Sequence, residues 1–504
     1  MYIKKVEITN IRSIREFSMT FGNPAGWHVL IGDNGTGKST IIRSIALALI
    51  GTEQALGLRT DWREWLNNQT SEGTVKLKIS RDKVDASIYT EGAKKSRLRA
   101  IFNELYFKRD SNGVSFSGNN SGAEDTNPTF YNWGNGNGWF SAGYGPFRRF
   151  SGGSTEMSKI FNNPDLTRLA SHLSLFGEDV ALTEVTEWLT RLDYKRLETA
   201  PSDVTAVAIR LLTSLLGQSD DIETDTIKML SVAASNVAGA LGYNAVLGTD
   251  STREELLASL KKELAYLEQY QLVRPPSSDL IGGLKTLINS KGFLPHQTKL
   301  TRISSEGIVF TDGNGARISI EQMSDGYRSI LSLTFELIRQ MVRVYGDEAV
   351  SRSISIGKGA IGLPGVVLVD EIDAHLHPTW QTSIGQWFTK YFPQLQFIVT
   401  THSPLVCRAC ERGSIWRLAA PGSDGESGEV TGTERDRLIF GNVLDAFGTE
   451  VFGANVTINP ESVEKKEELV ELNKKKMAGV INAAEESKLE QLRKTFTTDD
   501  PIDL

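Results

Sequence analysis

The sequence has 504 residues, 39% hydrophobic and 23% charged, ordinary proportions for a soluble globular chain with room for about two to four domains. Its net charge of -7 gives no whole-molecule support for a dedicated nucleic-acid binder. Two cysteines exclude a disulfide framework, no run approaches the roughly 18 apolar residues of a membrane span, and MYIKKVEITN lacks the apolar core of a signal peptide, so the expected location is the cytoplasm, away from membranes.

In chain order, Tyr2–Thr9 alternates as a strand does, Arg15–Phe21 reads as a second strand, and Trp27–Ile31 is a short apolar third. A glycine-rich turn follows, and Ser39–Ile50 carries Ile41, Ile42, Ile45, Leu47, Ala48 and Leu49, which suit a buried helix. Residues 110–138 are rich in Gly, Asn and Ser and predict an insertion loop. Residues 165–288 read as helical, with Leu182, Val185, Trp188, Leu189 and Leu192 on one face and Leu256, Leu257, Leu260, Leu264 and Leu267 on another, stopped by Pro275 and Pro276. Strands are predicted at Gly307–Phe310 and Ala316–Ile320, a long helix at Tyr327–Val344, and a buried strand at Val366–Val369. The stretch from Glu464 to Phe496 is charged and helical, with Leu469, Leu472, Met477, Val480 and Ile481 at helical spacings, which fits either a docking element or a solvated helix pair.

The chemistry starts at Gly32–Thr40, GDNGTGKST, which fits the phosphate-loop pattern G-x-x-x-x-G-K-[ST] between a strand and a helix. Glycines let the backbone curl so that the N–H groups of Asn34, Gly35, Thr36, Gly37, Lys38, Ser39 and Thr40 face a polyphosphate, and the following helix directs its positive dipole end there. Lys38 would reach the β- and γ-phosphates of ATP, and the Ser39 hydroxyl would ligate Mg²⁺. The apolar strand Val366–Val369 ends in Asp370 and Glu371. Asp370 would hold the Mg²⁺ shell, and Glu371 would orient or deprotonate the attacking water. The two motifs together indicate a nucleoside triphosphatase.

Three further motifs carry a family resemblance: Met323–Ser329 (MSDGYRS), Ala374–Pro378 (AHLHP) and Ile398–Pro404 (IVTTHSP). They resemble the signature, D-loop and switch-histidine motifs of ABC-type ATPases, in that family's order. The sequence is most similar to the RecF, Rad50, SMC and OLD-like branch, and within it to bacterial anti-phage defence ATPases such as those of Septu and PARIS systems. The resemblance covers roughly residues 1 to 50 and 300 to 410. It implies an α/β fold: an ABC-type P-loop ATPase head with a compact helical insertion domain. It also implies a homodimer or higher homo-oligomer, in which Ser324 and Gly326 act on the nucleotide of the opposite subunit and His402 contacts the γ-phosphate in cis. Arg12, in the segment Asn10–Ile14, corresponds to an arginine that meets the nucleotide in RecF and Rad50 heads.

The expected organisation is an N-terminal ATPase half over 1–160, a helical insertion over 161–300, a C-terminal ATPase half over 301–420 and a helical tail over 421–504. Leu256–Leu267 lasts only about two heptads, unlike the long arms of Rad50 and SMC proteins. OLD nucleases continue into a metal-dependent domain with a glutamate and an Asp-x-Asp pair; that pattern is not found after Pro404, so no intrinsic nuclease is expected. Cys407 and Cys410 read as buried small residues on a helix, or as a redox or half-metal site. Tyr144–Arg149 (YGPFRR) is either a coupling segment like the Q-loop or a turn before a helix. Lys94, Lys95, Arg97, Arg99, Lys108 and Arg109, interleaved with Phe102, Tyr106 and Phe107, form either a solvated face or a patch for a partner or nucleic acid. The leading expectation is an ATPase sensor or scaffold that controls a separately encoded effector, a nuclease; the alternative is a DNA-repair ATPase that clamps DNA.

Overall fold

The structure, a computed structural model, describes residues 1–80, 101–119, 139–146, 166–177, 184–198, 252–273, 280–420, 425–441, 460–477 and 480–495, apart from single positions within these spans, together with isolated positions between them. The chain divides into two units, Met1–Val430 and Thr431–Leu504.

The first unit is built on two large sheets with one helix between them. Strands β1 (Tyr2–Ile11), β2 (Ile14–Thr20), β4 (Glu72–Ser80), β5 (Ile101–Asp110) and β6 (Gly113–Asn119) form an antiparallel sheet in the order β2-β1-β4-β5-β6. Its strands bury alternate residues, Val75, Leu77 and Ile79 on β4 for example, as a sheet covered on one face does. The second sheet takes β3 (Gly26–Ile31), β7 (Ser141–Tyr144), β11 (Gly365–Val369), β12 (Leu395–Thr400), β13 (Gly413–Arg417) and β14 (Gly428–Val430) in the order β14-β13-β3-β12-β11-β7. All its pairings are parallel except β13 with the edge strand β14. Strands β3, β11 and β12 are buried along their whole length, which explains why they read as continuous apolar runs. A third sheet of β8 (Lys299–Ser304), β9 (Gly307–Thr311) and β10 (Arg317–Ser319) is antiparallel.

Helix α1 (Lys38–Ile50) lies between the two large sheets, and its Ile41, Ile42, Ile45 and Leu49 share one core with Ile3, Val6 and Leu77 of the first sheet and Leu30, Leu368 and Ile398 of the second. This explains its apolar composition on all sides. Among the described residues no single helix is long and apolar enough to cross a membrane. The buried Gln396 of β12 ties the sheets together: its Oε1 accepts from the Ile3 N–H at 2.7 Å and its Nε2 donates to the Ile3 carbonyl at 3.0 Å.

Two expectations change. The segment 110–138 was expected to be a loop, but Gly113–Asn119 is strand β6, paired with β5 from Asp110↔Gly113 to Glu104↔Asn119. Its Val114 and Phe116 pack on the core, and Phe116 stacks on Trp62 at 4.1 Å between centroids, a period-two signal masked by the surrounding Gly, Asn and Ser. Residues 120–138 lie outside the described residues. In the basic and aromatic cluster, Phe107 is core rather than surface, Arg109 donates to the Thr70 and Asn67 carbonyls, and Lys108 pairs with Glu72. Lys94, Lys95, Arg97 and Arg99 lie outside the described residues.

Of the helical region, Leu256, Leu260 and Leu267 of the helix Arg253–Val273 are buried with Leu212 and Ile227, while Leu257 and Leu264 are partly buried against them. Val185 and Leu189 of Glu184–Glu198 are also buried; Leu182, Pro275 and Pro276 lie outside the described residues. In the second unit the helices Pro460–Met477 and Ala483–Thr495 form a pair around Leu472, Leu489 and Leu492, laced by Lys475–Glu485 and Lys476–Glu486 bridges. Met477 and Val480 are exposed.

Two buried histidines give the fold a pH dependence. Burial pushes His28 and His172 down from 6.5 to about 4, so both are neutral in the folded chain. The unfolded chain takes up these protons first, so this part of the stability is present above about pH 6.5 and is lost as pH falls toward 4. Thermal unfolding should show a loss of about 2 kcal/mol per histidine between pH 7 and pH 5. His28→Asn should flatten that slope, and an unchanged slope would contradict the assignment.

Candidate active site

The phosphate loop leaves β3 at Gly32 and enters α1 at Lys38, with positive φ at Gly32, Gly35 and Gly37. Gly37, at φ 97, caps α1 in the left-handed region, where a side chain would be strained and its Cβ would meet Ile14 at 3.2 Å. The loop is therefore seated on the turn between β1 and β2. Asn34 and Gly35 at its crown are exposed, and a Cβ on Gly35 would meet nothing within 4 Å, so the crown borders open space.

Lys38 is 6% exposed, and its Nζ donates to the Gly32 and Asp33 carbonyls at 2.7 and 2.8 Å. Burial pushes its ammonium below the usual lysine range, and Asp370, Glu371, Asp33 and Asp373 oppose that shift. The carboxylates at the end of β11 thus act on the same ammonium that the phosphate loop holds. Thr36 and Thr40 are buried, and Ser39 is partly exposed.

The register of the central strands brings the second half of the site to the loop. With Val369 paired to Val399 on β12 and to Tyr144 on β7, Asp370 emerges beside Thr400 and just past Tyr144, whose carbonyl accepts the Asp370 N–H at 2.8 Å. Asp370 is 2% exposed, and its Oδ1 accepts from the Thr400 hydroxyl at 2.6 Å. Glu371 is left-handed at φ 49, and its N–H donates to the same hydroxyl at 2.7 Å. Asp373 Oδ2 accepts the His402 N–H at 3.4 Å, linking the turn after β11 to His402, which is exposed. Sequence reasoning missed Thr400, which stands inside a motif it had found but meets Asp370 only through strand register, and Asp373, which lies between two of its motifs.

The donor set suits Mg²⁺. A buried Asp370 carboxylate and the Ser39 hydroxyl would offer hard oxygen donors, and a few such donors suffice for an ion that keeps its remaining positions for phosphate and water. Among the described residues no cluster of three or more His, Cys, Asp and Glu could hold a metal by itself.

Ser324 is the N-cap of the helix Asp325–Tyr345, exposed, and its hydroxyl caps none of the helix's own N–H groups. Gly326 packs on the D-loop: a Cβ there would lie 2.8 Å from the His375 carbonyl, itself on a residue at φ 64. Trp380 Nε1 donates to the Tyr327 hydroxyl at 3.1 Å, fastening the signature helix to the helix Pro378–Tyr391.

Arg12 sits at φ 51 in the turn under the phosphate loop, with its guanidinium 4.6 Å over the Trp65 ring and its Nε donating to the Glu64 carbonyl at 3.3 Å. Burial, then the neighbouring Arg43, lowers its pKa. Tyr144 is buried and Gly145 is pressed against the Ser174 carbonyl; Phe147, Arg148 and Arg149 lie outside the described residues. Cys407 and Cys410 are buried, and burial pushes the Cys407 thiol far above its usual range, which disfavours a thiolate ligand or nucleophile at Cys407.

Residues 5–137 match the family described as "AAA domain", and residues 247–408 match "AAA domain, putative AbiEii toxin, Type IV TA system". The chain is 23% identical over 419 residues to the Septu protein PtuA of Bacillus mycoides, covering 82% of this chain and 40% of that one. It is 39% identical over 128 residues to the Retron Ec83 probable ATPase of Escherichia coli, covering 25% of this chain and 22% of that one. The chain thus spans less than half the length of these curated relatives. A solved Smc head domain from Pyrococcus furiosus, bound to the C-terminal domain of ScpA, aligns over 85% of this chain and 96% of that one, with 14% identity and a TM-score of 0.40. With its P-loop strand, acidic strand end and switch strand adjacent in one parallel sheet, the chain has an α/β P-loop fold and is similar in sequence to ATPases of bacterial defence systems.

Proposed function

We propose that the chain hydrolyses ATP at a site completed when two copies face each other, and that it serves in the cytoplasm as a sensor or scaffold controlling a separately encoded effector, a nuclease, in anti-phage defence. The observation that carries the composite site is Ser324: an exposed hydroxyl at a helix N-terminus that caps nothing in its own helix. Such an end offers N–H groups, a hydroxyl and a dipole to an incoming γ-phosphate.

In this reading the N–H groups of residues 34 to 40 wrap the polyphosphate, and Lys38 exchanges its two carbonyl partners for the β- and γ-oxygens. Ser39 and Asp370 would hold Mg²⁺, which when bound neutralises charge on the phosphate oxygens. Glu371 orients or deprotonates the attacking water, His402 contacts the γ-phosphate in cis, and Ser324 and Gly326 approach it from the second copy. Arg12 would reach the nucleotide only by leaving the Trp65 ring and the Glu64 carbonyl that hold its guanidinium here.

The defence role is supported by the Septu and retron relatives. Co-expression with the product of the neighbouring gene tests it. A stoichiometric, nuclease-like protein should co-purify, and the isolated chain should not cleave DNA. Robust cleavage by the chain alone would sink the effector reading, and a solitary ATP-dependent dimer that shifts only on adding DNA would replace it with a DNA clamp.

A further inference from the structure

Thr400 has no role in the reading above beyond its place in the switch motif, yet its hydroxyl occupies the junction of the whole site. It is fully buried at the end of β12, one strand over from β11. Its Oγ1 donates to Asp370 Oδ1 at 2.6 Å and accepts from the Glu371 N–H at 2.7 Å. One hydroxyl therefore spends its proton on the metal-side carboxylate and a lone pair on the backbone of the base-side residue. The second bond falls where the chain turns left-handed at φ 49, a conformation a glutamate adopts only when neighbours hold it. The carbonyl of the same Thr400 accepts the Ile372 N–H at 3.0 Å, so β12 grips the chain on both sides of the Glu371 turn.

We infer that Thr400 is a positioning residue: its hydroxyl holds the Asp370 carboxylate in the orientation in which it would serve Mg²⁺, and holds the backbone turn from which Glu371 would reach the attacking water. The Thr400 bond to Asp370 Oδ1 holds the carboxylate in one rotation. Acting on both carboxylates at once, the hydroxyl couples metal affinity to the chemical step. The inference rests on the proposed ATPase site and adds a residue to it.

The test compares Thr400→Val, which keeps the branched shape and loses the hydroxyl, with Thr400→Ser, which keeps the hydroxyl. A fluorescent ATP analogue is titrated with and without Mg²⁺, and turnover is followed against Mg²⁺ concentration. Thr400→Val should bind the metal-free analogue as wild type does, need about ten-fold or more Mg²⁺ for half-saturation, and lose turnover at saturating Mg²⁺. Thr400→Ser should stay close to wild type in all three. If Thr400→Val is too unstable to purify, Thr400→Cys, a weaker donor of similar size, should show the same shift at smaller amplitude. Valine or cysteine variants with wild-type Mg²⁺ dependence would overturn the inference and leave the proposed function standing. A wild-type chain with no metal-dependent nucleotide binding would remove both.

Discussion

Replacing Glu371 by Gln is expected to slow ATP hydrolysis by about 100-fold or more while nucleotide binding is preserved. The substitution is nearly isosteric, so the left-handed turn and its bond to Thr400 remain, and only the basicity of the side chain is lost. A 100-fold loss corresponds to about 2.7 kcal/mol on the barrier. Because binding and chemistry are separated, the ATP-bound assembly should accumulate. Turnover measured under single-cycle conditions checks this, and an unchanged rate would mean that the base lies elsewhere.

The second large effect is expected at the signature helix. Ser324→Arg places a long cation where the structure leaves an exposed, uncapped hydroxyl, and should abolish turnover without touching the phosphate loop of the same chain. Lys38→Ala should instead remove nucleotide binding, because the ammonium held between Gly32, Asp33 and the β11 carboxylates is lost. Mixing the two inactive proteins is the informative step. In a mixed dimer, the intact phosphate loop of the Ser324→Arg chain meets the intact signature of the Lys38→Ala chain. Random pairing should then restore about a quarter of wild-type activity. A mixture as inactive as its parts would argue against completion of the site by a second copy.

Much of the site is legible in the sequence because its chemistry is local. A phosphate loop needs glycines, a lysine and a hydroxyl within nine consecutive residues, and an apolar strand ending in Asp370 and Glu371 stands out because carboxylates follow a buried run. What the sequence hides is pairing. Thr400 and Asp370 are 30 residues apart and meet only because β11 and β12 run parallel in the register Val369↔Val399. Gly326 looks like a turn residue until the His375 carbonyl is seen where its Cβ would go. The β5–β6 hairpin escaped notice for a related reason: two apolar side chains, Val114 and Phe116, are a weak signal among Gly, Asn and Ser until Trp62 and Phe107 cover them.

The separation of Lys38 and Ser324 into two different settings is the feature on which the functional reading turns. One is buried among backbone carbonyls and carboxylates; the other is exposed at a helix end beside the D-loop. The mass of the Glu371→Gln protein in solution, with and without ATP and Mg²⁺, tests their union most directly. A site shared between two copies predicts a doubling of mass, or a higher multiple, that requires both ATP and Mg²⁺ and is abolished by Ser324→Arg in the same chain. A protein that binds ATP with unchanged mass, and still turns it over when wild type, would contradict it.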